Sequence, residues 1–318
     1  MLRRHALALL GAPALLPSRA SAQFSRPIRI VVPFPPGGSN DVIARPLADR
    51  LQARIGQPVV IENRAGAGGA IGASQVAQAA ADGHTLMITS SSFAASAVVQ
   101  RTPYDAQTSF EPVSVLARAP FFILTNLNFP PRDVRELIEY AKANPGKVDF
   151  GSSGPGGINH FISELFALRA GVRLNHVPYR GMPPAVTDLL AGHIQMLITT
   201  MASASAPVRE NRVRLLAYTA PGAPPGSPPA PTVREATGLD YDAAIWWGLF
   251  APRGTPREVV RAINEATRTA LADPDLTRIY QGEGAMPAPS SPEEFAASLA
   301  ADIGRFREVA QAANIRLD

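Results

Sequence analysis

The stretch VPFPPGGSND, residues 32–41, joins a predicted strand to a predicted helix. The run before it, residues 28–32, is apolar and β-branched, which favours a buried strand. Gly37 and Gly38 let the backbone come close to a bound group, and the helix that follows starts with N–H groups that have no partner inside the helix. We therefore expect this turn to bind an anion.

The same alternation of strand, turn and helix recurs along the chain and indicates an α/β protein. A first wound unit is followed by a second, and each is predicted to be a mostly parallel sheet flanked by helices. The tail after residue 250 offers helices but no further strands, so we expect it to return to the first unit. The predicted lobes are residues 27–124 with 246–318, and residues 125–245. Helices are predicted at, among others, residues 40–55, 134–143, 158–170 and 185–191.

The N-terminus has the pattern of a secretory signal peptide. Arg3 and Arg4 precede an apolar stretch, and Ala20-Ser21-Ala22 is a small-residue cleavage site, with cleavage predicted after Ala22. The arginine pair also permits a twin-arginine export route. We expect a free protein outside the cytoplasm, because the chain has no cysteine for a lipid anchor or disulfide and no later apolar run long enough to span a bilayer.

Composition argues against several classes of function. Without the signal peptide, the 30 basic and 26 acidic residues become 27 and 26, and no run of Lys or Arg offers a nucleic-acid surface. The glycine-rich segment at residues 66–72 resembles a dinucleotide-binding motif but has Ile71 where the last glycine should stand. No motif for a metal or a nucleoside triphosphate occurs. We expect no cofactor and no metal.

Three glycine-rich turns follow predicted strands, at residues 35–39, 66–69 and 151–157. In an open α/β sheet, ligands bind at the carboxyl ends of the strands, where helix N-termini favour negative charge. The first and third turns belong to different lobes, so an anion bound by both would hold the lobes together. The enzyme alternative is a hydrolase or isomerase that uses Ser153 and His160, although Pro155 breaks the nucleophile-elbow pattern. His84 and His193 follow turns and are predicted at the surface.

Several motifs together resemble the Bug/TctC family, the extracytoplasmic substrate-binding proteins of tripartite tricarboxylate transporters. The resemblance covers essentially the whole mature chain in order. The motifs are VPFPPGGSND at 32–41, ENRAGAGG at 62–69, DGHTL at 82–86, GSSG at 151–154, VPYRG at 177–181, PTV at 231–233 and WGL at 247–249.

The resemblance implies a two-lobed periplasmic binding protein of the type II-like kind, which closes on a small organic carboxylate in the cleft between its lobes. It also implies two integral membrane permease subunits as partners and no catalysis; the alternative within the same fold is a sensor module that presents solute to a signalling partner. The family's ligand-binding positions correspond here to Phe34, Pro35, Gly37, Gly38, Ser39, Asp41, Ser90, Ser91, Ser92, Ser152, Ser153, Gly156, Gly157, His160, Arg180, Gly181 and Thr199.

Two positions depart from the family pattern. Members often carry an aspartate where this chain has Thr199, and without that charge an amino-acid ligand is less favoured. The segment at residues 91–96 is also smaller and less polar than usual, which leaves room for a larger or more apolar acid.

Overall fold

Two β-sheets organise the chain in the computed structural model, which describes residues 24–223, 225–312 and 315. The predicted signal peptide and its cleavage site lie outside the described residues. The strands are β1 (Ile28–Val32), β2 (Val59–Asn63), β3 (Thr85–Ser90), β4 (Phe110–Pro120), β5 (Phe122–Asn126), β6 (Asp149–Ser152), β7 (Asn175–Pro178), β8 (Met196–Thr199), β9 (Val213–Tyr218), β10 (Ala244–Pro252) and β11 (Met286–Pro287).

Helices cover both sheets. They are α1 (Ser39–Ile55), α2 (Ala70–Ala77), α3 (Ser92–Val99), α4 (Val134–Ala143), α5 (Ile158–Ala170), α6 (Met182–Ala191), α7 (Met201–Arg209), α8 (Val233–Thr237), α9 (Arg257–Leu271), α10 (Pro274–Gly282) and α11 (Pro292–Ala312). Among the described residues, no helix combines the length and the apolar character needed to cross a membrane.

Both sheets are mixed, whereas the sequence predicts mostly parallel ones. In sheet A, ordered β11-β4-β10-β3-β1-β2, strands β1, β2 and β3 are parallel. In sheet B, ordered β7-β6-β8-β5-β9, the parallel strands are β6, β7 and β8. Every antiparallel pair involves β4, β5 or β10. The chain passes between the sheets along these strands. Because they are not joined to their neighbours by a helical crossover, which parallel pairing requires, they can pair antiparallel.

The chain passes between the sheets at two places that are bonded to each other. Phe121 alone separates β4 of sheet A from β5 of sheet B, and residues 219–243 lead back from β9 to β10. The hydroxyl of Thr219, which is buried, accepts a hydrogen bond of 2.8 Å from the N–H of Phe121. The same hydroxyl donates one of 2.6 Å to the carbonyl of Ala243. Thr219 therefore joins the two crossing segments.

The helices of the chain's tail cover sheet A, to which the tail also adds strands β10 and β11. Helices α9 and α10 pack against α1, and α11 packs against α3 and β4. Large buried side chains fill this interface, among them Trp246, Phe250 and Phe295. The predicted lobe boundaries, residues 27–124 with 246–318 and residues 125–245, remain a prediction. Strand β5 lies wholly within sheet B.

Candidate ligand cleft

A cavity lies between the two sheets, and the N-terminal ends of five helices reach it. The helices are α1 and α3, which follow strands of sheet A, and α5, α6 and α7, which follow strands of sheet B. Residues at these ends that line the cavity are Gly38, Ser39, Asn40, Ser92, Ile158, Asn159, Met182, Pro183, Thr200 and Ser203. The first N–H groups of a helix lack partners within it and carry partial positive charge, so this arrangement suits a negatively charged group.

The five helix ends are not closed by their own side chains. The N-cap residues of α1, α5 and α6 are Gly38, Gly157 and Gly181, which have no side chain to accept a bond. The N-caps of α3 and α7 are Ser91 and Thr200, and neither makes a capping hydrogen bond. By contrast α4, α8, α10 and α11 begin away from the cavity and are closed by an aspartate, threonine or serine side chain. The first N–H groups of α3 and α5 make long bonds of 3.4 Å, Ser92 to the Ser90 hydroxyl and Ile158 to the Ser92 hydroxyl. The N–H groups of Ser39, Asn40 and Asn159 are left for a ligand or for water.

The side chains that line this inner cavity are all neutral. Besides the residues at the helix ends, they are Phe34, Pro35, Ser90, Phe121, Ser153, Thr199 and Ile245. The space between atoms is about 390 Å³ with the open solvent at the mouth included, but only about 20 Å³ of it can hold the centre of a water molecule, so the inner cavity is narrow. A mixture of apolar walls and a few polar groups is typical of small-molecule sites. An anion bound here would interact with backbone N–H groups and hydroxyls and not with a fixed positive charge.

Two buried polar atoms on the cavity wall have no hydrogen-bond partner. They are the Oδ1 of Asn40 and the hydroxyl of Thr199, and both residues are more than nine-tenths buried. Buried polar groups almost always find a partner, so these two indicate a place for a ligand or a water. Asn159 beside them is satisfied, because its amide donates to the carbonyl of Ile198 at 2.8 Å and its Oδ1 accepts from Ser153.

A wider outer chamber continues from the inner cavity. The two share Phe34, Pro35 and Ser153, so they form one cleft. The outer chamber has a volume of about 550 Å³ and is walled by residues 65–69, 154–155 and 179–181. Arg180 is the charged residue in this wall. The cleft is therefore neutral at its inner end and positive at its mouth.

The comparisons with known proteins agree with this geometry. The model of the tripartite tricarboxylate transporter family receptor matches residues 43–315. The chain belongs to this receptor family. A receptor-family relative from Pseudomonas sp. strain P51, the UPF0065 protein in the tcbD–tcbE intergenic region, is 41% identical over 92% of this chain and 87% of its own length. Protein BugT of Bordetella pertussis is 36% identical over 95% of this chain and 93% of its own. The resemblance in the sequence motifs is confirmed.

Solved structures of similar proteins superpose on this receptor over most of its length. An R. palustris protein solved with adipate is 36% identical, with a TM-score of 0.88 over 92% of this chain and 98% of that one. MatC from Rhodopseudomonas palustris, with bound malate, is 32% identical, with a TM-score of 0.83 over 90% and 99%. The periplasmic binding protein BugD is 32% identical, with a TM-score of 0.86. The predicted two-lobed α/β fold of a periplasmic binding protein is confirmed.

The structure brings ten of the predicted site residues to the receptor's cleft. Those that line the inner cavity are Phe34, Pro35, Gly38, Ser39, Ser90, Ser92, Ser153 and Thr199, and the outer chamber adds Arg180 and Gly181. Seven others lie outside both linings: Gly37, Asp41, Ser91, Ser152, Gly156, Gly157 and His160. Ligand contact by any of these residues stays a prediction.

Asp41 lies under the first glycine-rich turn and not on the cavity wall. Its carboxylate accepts hydrogen bonds of 2.9 Å from the Gly37 N–H, the Arg45 Nε and the Asn63 amide. Burial acts to raise the pKa of Asp41, but these bonds and the nearby Arg45 charge outweigh it and lower the pKa. Asp41 is thus an ionised group that fixes the turn at residues 37–39.

Ser153 and His160 do not form a nucleophile and base pair. The Ser153 hydroxyl donates to Asn159 Oδ1 at 3.2 Å, and His160 Nδ1 accepts from the Gly156 N–H at 3.2 Å. Activation of a serine requires a hydrogen bond to its base, which this arrangement lacks. Among the described residues, no group of three or more His, Cys, Asp or Glu side chains could hold a metal ion.

Sequence reasoning missed several residues of the inner cavity. Asn40 lies inside the motif at residues 32–41 but was not predicted to bind ligand. Thr200 and Ser203 follow β8 just as the predicted site serines follow β3 and β6. Their position directly after a strand is the feature of the sequence that could have identified them. Phe121 and Ile245 come from the crossing segments, and their approach to the cavity depends on how the two sheets meet.

Proposed function

We propose that this receptor-family chain is a periplasmic solute-binding protein that captures a small organic carboxylate. The observation that carries the proposal is the meeting of five uncapped helix N-termini at one neutral cavity. Helix N-termini from both sheets take part, so a ligand bound there contacts both lobes. The bound adipate and malate of the two Rhodopseudomonas palustris proteins support the same ligand class.

The interactions available at the helix ends are strong enough to bind a small carboxylate. A charge near a helix N-terminus is stabilised by typically 0.3–1 kcal/mol, and by up to ~2 kcal/mol where it is partly buried. Each hydrogen bond to a charged group contributes about 1.5–3 kcal/mol. Two or three such bonds together with helix-end terms would offset a substantial part of the cost of immobilising a small ligand. The neutral wall offers no carboxylate to pair with an ammonium group, so amino acids should bind more weakly than hydroxy acids of the same length.

The two sheets would be the cores of two lobes that close on the ligand. The boundaries 27–124 with 246–318 and 125–245 remain the proposed division, with the bonded crossings around Phe121 and Thr219 as its hinge. Closure would bring the turns after β1 and β6 together. Because a ligand shifts such an equilibrium only by binding one state better, contacts to both lobes favour the closed form.

Delivery to a membrane transporter follows from the family and not from a feature of the cleft. We propose two integral membrane permease subunits as the partners, a cleaved signal peptide as the route to the periplasm, and no catalysis. The unconnected Ser153 and His160 argue against the hydrolase or isomerase alternative. A sensor module would use the same cleft, and co-purification with permease subunits or with a histidine kinase distinguishes the two uses.

A calorimetric titration of ligand-free protein tests the ligand class. The mature protein is unfolded and refolded to remove any co-purified solute, then titrated with adipate, malate, hexanoate and aspartate. We expect a dicarboxylate to bind, aspartate to bind more weakly than malate, and every ligand to be recovered unchanged. A flat titration with all four, in refolded protein that keeps its circular dichroism spectrum, would contradict the proposal. Conversion of a ligand would favour the enzyme alternative.

Replacing Arg180 by glutamine should weaken a dicarboxylate selectively. Its guanidinium lies on the wall of the outer chamber, where the distal carboxylate of an extended ligand would reach it. Because Arg180 is exposed, the expected loss for adipate is small, about two- to fivefold in Kd. Hexanoate, which has no distal carboxylate, should bind equally to both proteins. Arg253→Gln, an exposed arginine after β10, serves as the control, and equal weakening of both ligands would rule out this role.

A further inference from the structure

The loop at the end of β6, residues 152–157, is hydrogen-bonded to the opposite lobe. The Ser96 hydroxyl donates to the carbonyl of Gly156 at 3.2 Å, and the Gln100 amide donates to the carbonyl of Pro155 at 2.9 Å. Ser96 lies in α3 and Gln100 directly follows it, so both bonds run from the sheet A side of the cleft to the sheet B side. The position of these two carbonyls therefore affects how the lobes meet.

Two histidines contact this loop from within sheet B and its helix α5. The rings of His160 in α5 and His176 in β7 are stacked, with centroids 3.9 Å apart and planes 9° from parallel. Phe150 of β6 stacks on His176 at 5.0 Å. Neither histidine lines the cleft, although His160 was expected to. The pair forms a flat aromatic surface behind the loop.

Each histidine bonds one end of the loop. Nδ1 of His160 accepts the N–H of Gly156 at 3.2 Å. Nε2 of His176 and the hydroxyl of Ser152 are 2.6 Å apart, and that hydroxyl also accepts the N–H of Gly154 at 3.2 Å. His160 must carry its proton on Nε2, because Nδ1 is used as an acceptor. The stacked pair thus links the start of the loop to its end.

We propose that His160 and His176 are positioning residues, which hold loop 152–157 in the shape that presents the Pro155 and Gly156 carbonyls to the opposite lobe. The pair acts through the loop and not by touching the ligand. A neutral His160 is required, because a proton on Nδ1 would remove the acceptor of the Gly156 N–H. Two charged rings 3.9 Å apart would also repel each other.

The surroundings of the pair keep both rings neutral at physiological pH. Burial lowers the pKa of His160 to about 4, and burial together with the neighbouring His160 lowers that of His176 to about 4. The charged group that faces the pair is Glu164 of α5, with its Oε1 3.8 Å from His160 Nε2. Burial raises the pKa of Glu164 above its ordinary value. The residues of β6 that contact the pair are Phe150 and Ser152, which are uncharged. The carboxylate of Asp149, also in β6, accepts a hydrogen bond from the Asn175 amide instead.

The sign of the pH effect follows from these values. The folded-state pKa values lie below the unfolded value of about 6.5, so the unfolded or open loop binds protons more readily than the native one. The positioned loop is fully favoured above pH ~6.5 and loses stability as pH falls toward 4. Its shape should therefore be insensitive to pH above neutrality and sensitive to acid.

Amide exchange measured by NMR on the ligand-free mature protein tests the proposal, and it is independent of whether the protein binds carboxylates. The variant His160→Leu removes the acceptor, and we expect the exchange rate of the Gly156 amide at pH 7 to rise at least tenfold. His160→Gln restores an acceptor and should keep the rate within about threefold of wild type. His193→Gln, which alters an exposed histidine, is the matched control and should change nothing.

An acid titration of the wild type supplies a second test, which decides the matter if His160→Leu does not fold. The ¹⁵N shifts of His160 should show the Nε2–H form at pH 7, and loss of Gly156 protection should follow the titration of the pair below pH 6. An unchanged Gly156 exchange rate in a folded His160→Leu variant would overturn the proposal. A His160 that carries its proton on Nδ1 at pH 7 would overturn it as well.

Discussion

Replacing Thr219 by valine should lower the free energy of unfolding by about 1–3 kcal/mol. Valine keeps the shape of the side chain but has no hydroxyl, so the Phe121 N–H loses its 2.8 Å bond and the Ala243 carbonyl its 2.6 Å bond. A buried polar group left without a partner, here the Phe121 N–H, costs about 1–3 kcal/mol, whereas the half-buried Ala243 carbonyl can bond to water. Urea unfolding followed by circular dichroism measures the loss.

Thr187→Val is the matched control for this change. The Thr187 hydroxyl donates only to the Pro183 carbonyl one turn earlier in α6, and its side chain is exposed. We expect its effect to stay within about 0.5 kcal/mol. A loss at Thr219 no larger than at Thr187 would show that the two crossing segments are held together by other contacts.

Replacing Gly181 by alanine should weaken ligand binding by about tenfold or more. Gly181 ends the loop after β7 of sheet B, and a Cβ there would lie 2.8 Å from Cγ of Pro35, which follows β1 of sheet A. Proline cannot move aside easily, so the new methyl group would hold the lobes apart. Overpacking of this kind costs typically 1–3 kcal/mol, and calorimetry with the best-binding carboxylate of the panel would measure it as a change in Kd.

The control for Gly181 is Gly171→Ala at the end of α5. Both glycines have a positive φ, +107° at Gly181 and +65° at Gly171, so both substitutions strain the backbone. At Gly171 a Cβ would meet nothing within 4 Å. Gly181, at φ +107° and ψ 172°, is in a region that only glycine adopts readily, whereas Gly171, at φ +65° and ψ 39°, is in the αL region. Gly181→Ala should therefore lose more stability than Gly171→Ala, and only Gly181→Ala should lose affinity. Unchanged affinity in a folded Gly181→Ala protein would mean that the turns do not close against each other.

The local elements followed closely from the sequence because their signals are local. Helices α4 and α5 lie at the predicted residues, and α1 begins one residue before its prediction at Asn40. The S/T-x-x-E spacing at Ser291–Glu294 and at Thr255–Glu258 is typical of a capping box. Ser291 and Glu294 form one at α11. Thr255 does not form the corresponding box at α9, because its hydroxyl donates to the Pro252 carbonyl instead.

Features that depend on distant parts of the chain were harder to predict. Strand β4 was missed because Pro112, Glu111 and Arg118 interrupt its apolar pattern. Pro112 is accommodated opposite Phe250, next to a shift in register. His84 was predicted at the surface from its Asp-Gly turn, but that prediction was wrong, since it is buried and lies 5.8 Å edge-on from the Phe24 ring. An Asp-Gly sequence predicts the local backbone conformation of a turn, but it does not predict whether other parts of the chain bury that turn.

In the cleft, too, local features could be predicted from the sequence and features that depend on distant residues could not. The glycine-rich turns were visible in the sequence, and the inner cavity uses Gly38 and Ser39 from the first of them and Ser153 from the third. Which residues of a turn face the cavity and which face the protein interior could not be read from spacing alone. His160 lies one turn into α5 and stacks on His176, a partner 16 residues later in strand β7.

A crystal structure with the best-binding carboxylate would test the proposed site most directly. We predict that one carboxylate group lies in the inner cavity within hydrogen-bond distance of the first N–H groups of α1 and of at least one helix from sheet B. The unpartnered Asn40 and Thr199 side chains should bond to the ligand or to a bridging water. A carboxylate held at another surface by lysine or arginine side chains, with the inner cavity unoccupied by ligand, would contradict the proposed site.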